Sequence, residues 1–212
     1  MGNNRTRSST PRRRGGSAPR AAAKGRAGAR RPALDRSDWI VAARDVLVAG
    51  GIAAVKIGAL ASRLGVTRES FYWHFKSLDD LRNELLADWV SDNHTRFAAA
   101  RGPDRPKSAD LKTVATLLLG LENFRTGWDL AMRDWARVAP EVAQAVARID
   151  EERTVALEGT FRGLGYSELD ARARARVYYL FQVGYYTVRI PDSREEREAL
   201  VPAYLKVLLG DT

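Results

Sequence analysis

Five ring-bearing side chains follow one another at residues 71–75, in the order Phe-Tyr-Trp-His-Phe, after a Gly-Val-Thr break at residues 65–67. A helix turns by about 100° per residue, so Phe71 and Phe75 share one direction and Trp73 points to the opposite side. One helix face can therefore bury two of these rings, and the others are left over. The remaining rings either contact another molecule or reach solvent from the edge of a core helix.

Beyond residue 34, apolar residues recur at intervals of three and four, and breaks fall at Gly, Pro and clusters of Ser or Thr. This pattern predicts an all-α fold without β-strands. The predicted helices cover about 36–48, 57–64, 68–75, 78–100, 109–124, 127–137, 141–163, 168–189 and 194–209.

Several residues predict where these helices begin and end. Gly50 and Gly51 are expected to stop the first helix. Thr67 and Ser77 precede the third and fourth helices and are predicted to cap them through their side chains. Pro202 lies inside the last helix and is expected to kink or split it.

The positive charge of the chain is concentrated at its start. Residues 1–34 contain ten Arg or Lys and no acid, whereas the remaining 25 basic and 26 acidic residues nearly balance. The Gly, Ala, Ser and Pro around these charges cannot bury enough surface to offset the entropy of ordering. We therefore expect residues 1–34 to be a disordered basic arm, which either keeps the protein in solution or follows nucleic-acid phosphates.

Composition excludes several classes of protein. The chain has no Cys and two His, His74 and His94, which excludes disulfides, thiolate zinc sites and thiol catalysis. Adjacent carboxylates such as Glu151 and Glu152 diverge on a helix and cannot flank one bond. We therefore expect neither an enzyme nor a cofactor. A membrane span needs roughly 18 apolar residues, which no segment provides, so a cytoplasmic protein without membrane contact is expected.

The segment around the rings fits a helix-turn-helix, in which a short helix, a tight turn at Gly65 and a second short helix follow one another. The second helix of this motif enters the major groove of DNA. Displayed rings beside Arg68, His74 and Lys76 suit such a role, because an arginine can pair with guanine and hydroxyl, imidazole or ammonium groups can contact phosphate.

The stretch LASRLGVTRESFYWHFKSLDDL, residues 60–81, resembles the signature of the TetR/AcrR family of transcriptional regulators, and its Tyr-Trp-His-Phe element at residues 72–75 is typical of that family's recognition helix. The segment MRDWARVAPEVAQAVARIDEER, residues 132–153, is similar to a sequence common in the family's C-terminal domains. The resemblance implies a DNA-binding domain at residues 35–80. It also implies an effector-binding and dimerisation domain at residues 81–212.

By this resemblance the partners are a double-stranded DNA operator, a second copy of the chain and an unidentified small-molecule effector. The residues implied to lie near bases or adjoining phosphates are Thr67, Arg68, Ser70 and Trp73. Those implied to contact the DNA backbone are Tyr72, His74 and Lys76. The chain departs from the family twice, with Leu78 where Lys is frequent and Gly58 where a polar or basic residue is frequent.

Two further groups of residues are candidates in the second domain. An apolar effector pocket or a plain core would be lined by Phe124, Trp128, Met132 and Tyr178. Apolar stripes that pack inside the subunit or form a dimer interface consist of Val177, Phe181, Gly184, Val188, Leu200, Ala203 and Val207. Trp135 is expected in the core, Arg133 on a solvated or locally paired face, and His94 on a helix surface.

These features predict a ligand-responsive, dimeric DNA-binding regulator, in particular a repressor that an effector releases from a palindromic operator. The alternative is a helical effector-binding or protein-interaction module that has lost specific operator recognition. Leu78 and Gly58 favour this alternative slightly, since each removes an expected DNA contact.

Overall fold

A computed structural model of the protein describes residues 34–100, 126–188 and 190–210, with residues 96–100 and 194 described in their backbone alone. The predicted helix at 109–124, with Phe124, and the predicted arm, apart from Leu34, lie outside the described residues. The described residues are helical and contain no β-strand, so the predicted all-α fold is confirmed.

Eight α-helices follow one another in the described residues, with a short 3-10 helix, Ile52–Ala54, after the first. The N-terminal four are α1 (Arg36–Gly50), α2 (Ile57–Leu64), α3 (Arg68–Tyr72) and α4 (Leu78–Ala100). The C-terminal four are α5 (Thr126–Ala136), α6 (Pro140–Gly163), α7 (Glu168–Val188) and α8 (Arg194–Leu209).

Helix α1 has a strong cap at each end. The Asp35 carboxylate accepts hydrogen bonds from the backbone N–H groups of Ser37 and Asp38, and the Asp38 carboxylate accepts one from the Asp35 N–H, which is a capping box. At the other end Gly51 has φ 72° and ψ 178°, and its N–H donates to the Leu47 carbonyl. The predicted stop at Gly50-Gly51 is therefore confirmed.

The main hydrophobic core runs from α1 to α6. Trp39 of α1 lies edge-on to Phe71 of α3, with ring centroids 5.3 Å apart, and both side chains are fully buried. The same cluster continues through Leu85 of α4 and Met132 of α5 to Ile149 of α6. Because one apolar cluster joins these helices, the segment that contains the rings rests on a rigid base.

A second core cluster joins the ends of α6, α7 and α8. Its buried members are Phe161, Ala171, Ala175, Tyr178, Leu208 and Leu209. The hydroxyl of Tyr166 donates to the Leu209 carbonyl at 2.6 Å, and the Arg174 guanidinium lies 4.2 Å from the centre of the Tyr166 ring. These contacts fix the C-terminal end of α8 against the start of α7.

Helix α8 continues through Pro202. Of the two predicted effects of this proline, a kink or a split, the split is therefore wrong. The helix begins with a capping box between Ser193 and Glu196 and continues to Leu209. Packing of Leu208 and Leu209 in the second core cluster holds the part of the helix beyond the proline. Within the described residues, no helix is both long enough and apolar enough to cross a bilayer.

Candidate nucleic-acid interface

The turn between α2 and α3 is a Schellman motif centred on Gly65. Gly65 has φ 69° and ψ 34°, and its N–H donates to the Ser62 carbonyl, while the Val66 N–H donates to the Ala61 carbonyl. A side chain at this left-handed position would be strained. Glycine thus ends α2 where the sequence predicted and turns the chain directly into α3.

Thr67 occupies the N-cap position of α3, but the prediction that its side chain caps the helix is wrong. No side-chain cap hydrogen bond forms there. Hydrogen bonding from the Glu69 backbone N–H and the Thr67 side chain lowers the pKa of the Glu69 carboxyl group. Thr67 therefore interacts with a side chain of α3 and does not cap the helix backbone.

The rings divide between core and surface as the sequence predicted. Phe71 and Phe75 are buried and stack with centroids 5.3 Å apart. In contrast, 61% of Tyr72 and 86% of Trp73 is exposed. Helix α3 ends at Tyr72 instead of the predicted position 75, because the chain turns at residues 73–74 while the Phe75 N–H still donates to the Phe71 carbonyl.

The polar residues proposed to contact DNA surround these two exposed rings. Thr67, Arg68 and Lys76 are exposed, and Ser70 and His74 are half-buried. The displayed surface therefore combines two large rings with two permanent cations. The part of the chain that the structure describes offers these rings no apolar cover, and such a surface suits a polyanion with flat bases.

Arg36, at the start of α1, contacts the end of residues 67–76, the predicted recognition segment. The sequence analysis did not identify this role of Arg36. Its guanidinium lies 4.2 Å from the centre of the Phe75 ring and donates to the His74 carbonyl. Its Nε also donates to the Glu84 carboxylate of α4 at 2.7 Å, and this hydrogen bond raises the pKa of Arg36. The residues are separated by 38 and 48 positions, so local spacing gave no signal.

The start of α4 is capped as predicted. The Asp80 N–H donates to the Ser77 hydroxyl at 3.1 Å, and the Lys76 N–H donates to the Asp80 carboxylate at 3.0 Å. Leu78, where the family often has a lysine, is half-buried and packs against the main core. This position therefore contributes to packing, and Lys76 is the neighbouring exposed cation.

A partly buried ion network links four helices, α4 to α7. Its members are Asn93 of α4, Asp129 and Arg133 of α5, Asp150 and Arg153 of α6, and Tyr179 of α7. Arg133 binds both carboxylate oxygens of Asp150, at 2.7 and 2.9 Å. Arg153 lies 3.4 Å from Asp129 and also donates to the Asn93 side-chain oxygen.

The prediction for Arg133 was wrong in part, since its side chain is mostly covered and pairs with the distant Asp150 as well as with the nearby Asp129. Burial opposes ionisation of Arg133, but the hydrogen bond to Asp150 and the other nearby charges raise its pKa overall. Burial also raises the pKa of Tyr179 to about 12. Its hydroxyl therefore stays protonated and donates to Asp150 at 2.6 Å.

The candidate effector residues lie in two different places. Trp128 and Met132 are buried in the main core, whereas Tyr178 is buried in the second core cluster. A separate open groove of about 480 Å³ runs between α4 and α6, and its lining includes Leu86, Val90, His94, Ala145 and Arg148. His94 is half-exposed at this groove and hydrogen-bonds Glu152, which confirms its surface position.

The candidate dimer residues lie on α7 and α8. Val177, Val188 and Val207 are largely exposed, as is Leu180, which the sequence analysis missed. Phe181 instead packs inside the subunit, with its ring centroid 4.8 Å from that of Tyr204. A side chain at Gly184 would meet no heavy atom within 4 Å. The four α7 positions 177, 180, 184 and 188 therefore form a face that the other described residues leave uncovered, with a small residue near its centre.

Residues 40–85, which span most of α1, all of α2 and α3 and the start of α4, match the model of a family described as bacterial regulatory proteins, tetR family. This part of the chain is similar to the DNA-binding part of that family. The resemblance to TetR/AcrR regulators, stated from the recognition segment, is thereby confirmed.

A curated relative agrees with that match. Over 123 residues the chain is 32% identical to the tetracycline repressor protein class A from transposon 1721 of Escherichia coli, which covers 55% of this chain and 53% of the relative. The chain thus spans about half the length of the curated relative it matches.

Solved structures show the same fold. A transcriptional regulator from Rhodococcus sp. Rha1 is 18% identical, covers 83% of this chain and 96% of its own, and has a TM-score of 0.63. The regulator FadR from Bacillus subtilis, solved in complex with stearoyl-CoA, is 18% identical, covers 82% and 97%, and has a TM-score of 0.56.

Proposed function

We propose that this chain is a dimeric repressor that binds a palindromic DNA operator and releases it when a small-molecule effector binds. The observation that carries the proposal is the exposed surface of residues 67–76. Trp73 and Tyr72 are exposed there between Arg68 and Lys76, although Phe71 and Phe75 are buried. Large exposed rings beside two cations can contact bases in a major groove, whereas the described residues of the subunit do not cover them.

In this proposal the surface residues divide into two roles. Arg68, at the first position of α3, pairs with a guanine, and Thr67, Ser70 and Trp73 lie against neighbouring bases or phosphates. Tyr72, His74 and Lys76 contact the DNA backbone and set the orientation of the domain. The Arg36 contacts to His74 and Glu84 support this arrangement, because they hold the end of the recognition segment against α1 and α4.

Arg68→Ala is expected to weaken binding to the best operator by about 1–3 kcal/mol and to relax the preference at one base pair. Lys76→Ala should weaken binding to all DNA sequences by the same factor and reduce the slope of log affinity against log salt by about one. Titration of operator variants with single base changes, at two salt concentrations, measures both effects. Equal losses on every sequence for Arg68→Ala would show that Arg68 contacts phosphate.

The basic arm makes an independent prediction. Deletion of residues 2–33 removes ten positive charges and no acid, so the salt dependence of DNA affinity should become less steep while the sequence preference stays the same. Affinities for operator and random DNA, measured between about 50 and 200 mM salt, give the slope for the full-length and the shortened chain. An unchanged slope would reduce the arm to a solubility segment.

We place dimerisation on α7 and α8 and effector binding among the helices of residues 81–212. The uncovered apolar face of α7 supports the first assignment. Trp128, Met132 and Tyr178, with Phe124, stay candidate effector residues. The fold likeness to FadR, which was solved with stearoyl-CoA, favours an effector with a large apolar part. Tryptophan fluorescence during titration with acyl-CoA thioesters and with their free acids tests this class of ligand.

The route from effector to DNA in this proposal is α4. The start of α4 is capped beside Lys76, and Arg36 binds it through Glu84. The later part of α4 contributes Asn93 to the partly buried ion network. A small shift of α4 would therefore change both sets of contacts and the separation of the two recognition helices. The competing function, a helical module without operator recognition, predicts that binding to DNA shows no sequence preference at any salt concentration.

A further inference from the structure

The guanidinium of Arg68 lies directly over Gly58, the second residue of α2. A Cβ atom on Gly58 would lie 2.9 Å from Nη2, 3.0 Å from Nε and 3.2 Å from Cζ of Arg68. Contacts this short do not persist, so the guanidinium fills the space that any side chain at position 58 would need. Gly58 and Arg68 are ten residues apart and belong to different helices of the helix-turn-helix.

An exposed arginine normally samples many rotamers, and it must give up that freedom when it pairs with a base. A planar guanidinium that rests on the bare backbone of a neighbouring helix is already restricted before DNA arrives. The arrangement is therefore a preorganised donor at the start of α3, and it depends on the missing side chain of Gly58.

We propose that Gly58 is a positioning residue for DNA recognition, because its lack of a side chain sets the pose of the Arg68 guanidinium. The inference rests on the proposed function of Arg68 as a base-reading residue. It gives the unusual glycine a physical role, since this position contributes to operator preference through Arg68 and makes no DNA contact of its own. Better placement of Arg68 would thus recover part of the DNA affinity that is lost with the missing contact at position 58.

Stability and recognition should respond to Gly58→Ala with opposite signs. Gly58 lies inside a helix and is not among the glycines with positive φ, so alanine fits the backbone and favours the helix. The three nearest heavy atoms all belong to the Arg68 guanidinium, the flexible end of a side chain that can move away. We expect the melting temperature to stay the same or rise by roughly 1–4 °C.

Recognition is measured on a duplex that the wild-type chain selects from a random DNA pool, and on its single-base variants. Gly58→Ala should lower affinity for the selected duplex about tenfold and relax the preference at the base pair where Arg68→Ala also relaxes it. In an Arg68→Ala background, the added Gly58→Ala change should alter affinity by less than about twofold, since the residue on which it acts is gone.

Gly159→Ala is the matched control, because Gly159 lies in α6 and a Cβ there meets no heavy atom within 4 Å. This variant should be as stable as Gly58→Ala and keep wild-type DNA preference. A side-chain NMR signal from Arg68 Nε, followed in the protein without DNA, gives a second readout. It should report increased motion in Gly58→Ala and no change in Gly159→Ala.

Two results would overturn the inference. Equal losses from Gly58→Ala with and without Arg68 would mean that the new methyl group obstructs DNA directly. Unchanged affinity, preference and Arg68 motion would mean that the guanidinium finds the same pose without the glycine. Failure of the proposed function is recognised separately, since the wild-type chain would then select no sequence from the pool, although the NMR comparison would still report on the Gly58 contact.

Discussion

Arg153→Leu is expected to lower the free energy of unfolding by about 2–4 kcal/mol, because it removes one cation from a network that is largely closed to water. Asp129 is only 7% exposed and would keep Arg133, 3.5 Å away, as its remaining charged neighbour. Arg133 is already engaged by both oxygens of Asp150, so it cannot fully replace the lost partner. Urea denaturation at a fixed protein concentration measures the loss.

A surface arginine gives the matched control. Arg172 lies 3.6 Å from Glu158 and 60% of its side chain is exposed, so Arg172→Leu should cost less than about 1 kcal/mol. Arg153→Lys keeps the charge but loses the forked geometry, and it should fall between the two. A loss below about 1 kcal/mol for Arg153→Leu would show that water or a rearranged Arg133 satisfies Asp129.

In the proposed mechanism the same network limits how α4 can move. Arg153 contacts Asn93 of α4 as well as Asp129 of α5, and the Asn93 amide donates to the Trp89 carbonyl within α4. Arg36 holds the other end of α4 through Glu84. A movement of α5 or α6 relative to α4 would therefore break directional hydrogen bonds instead of sliding along apolar surfaces, which favours two discrete positions of α4 over a continuous range.

The sequence predicted what depends on neighbouring residues. Gly65 ends α2 in the left-handed conformation that glycine tolerates, Ser77 caps α4, and Phe71 and Phe75 face the core while Trp73 does not. Each of these outcomes follows from helical periodicity or from a residue's own conformational range. The recognition segment also carried the family resemblance, so fold and family followed from the same residues.

Contacts between distant residues were not predictable in the same way. Arg36 meets Glu84 across 48 positions, and Arg133 meets Tyr179 across 46. A charged residue on a helix gives no sign of whether solvent or another helix lies opposite. Gly58 was similarly read as a missing contact, because its value depends on where the Arg68 side chain rests. Even the local prediction of a cap failed at Thr67, whose side chain forms no cap hydrogen bond.

Gly184→Arg is expected to convert the proposed dimer into a monomer and to reduce affinity for the proposed operator by about a thousandfold or more, toward the non-specific level. Gly184 lies near the centre of the uncovered face of α7, between the exposed side chains of Leu180 and Val188, and among the described residues no heavy atom lies within 4 Å of a Cβ placed there. The arginine can therefore be accommodated in a folded subunit, but at a two-fold interface it would separate the helices and bury an unpaired charge. Light scattering and operator titration measure the two effects together.

The loss of affinity follows from geometry. A palindromic operator presents two half-sites about one DNA turn, ~34 Å, apart, and a monomer can occupy one of them with half of the contacts. Gly159→Arg is the control, since a Cβ at Gly159 also meets no heavy atom within 4 Å but Gly159 lies on α6, which contributes no residue to the proposed interface. This variant should remain dimeric with full affinity. A Gly184→Arg protein that is still dimeric and binds operator at wild-type affinity would move the interface away from this face of α7, whereas a monomeric protein with unchanged affinity would mean that one subunit suffices for recognition.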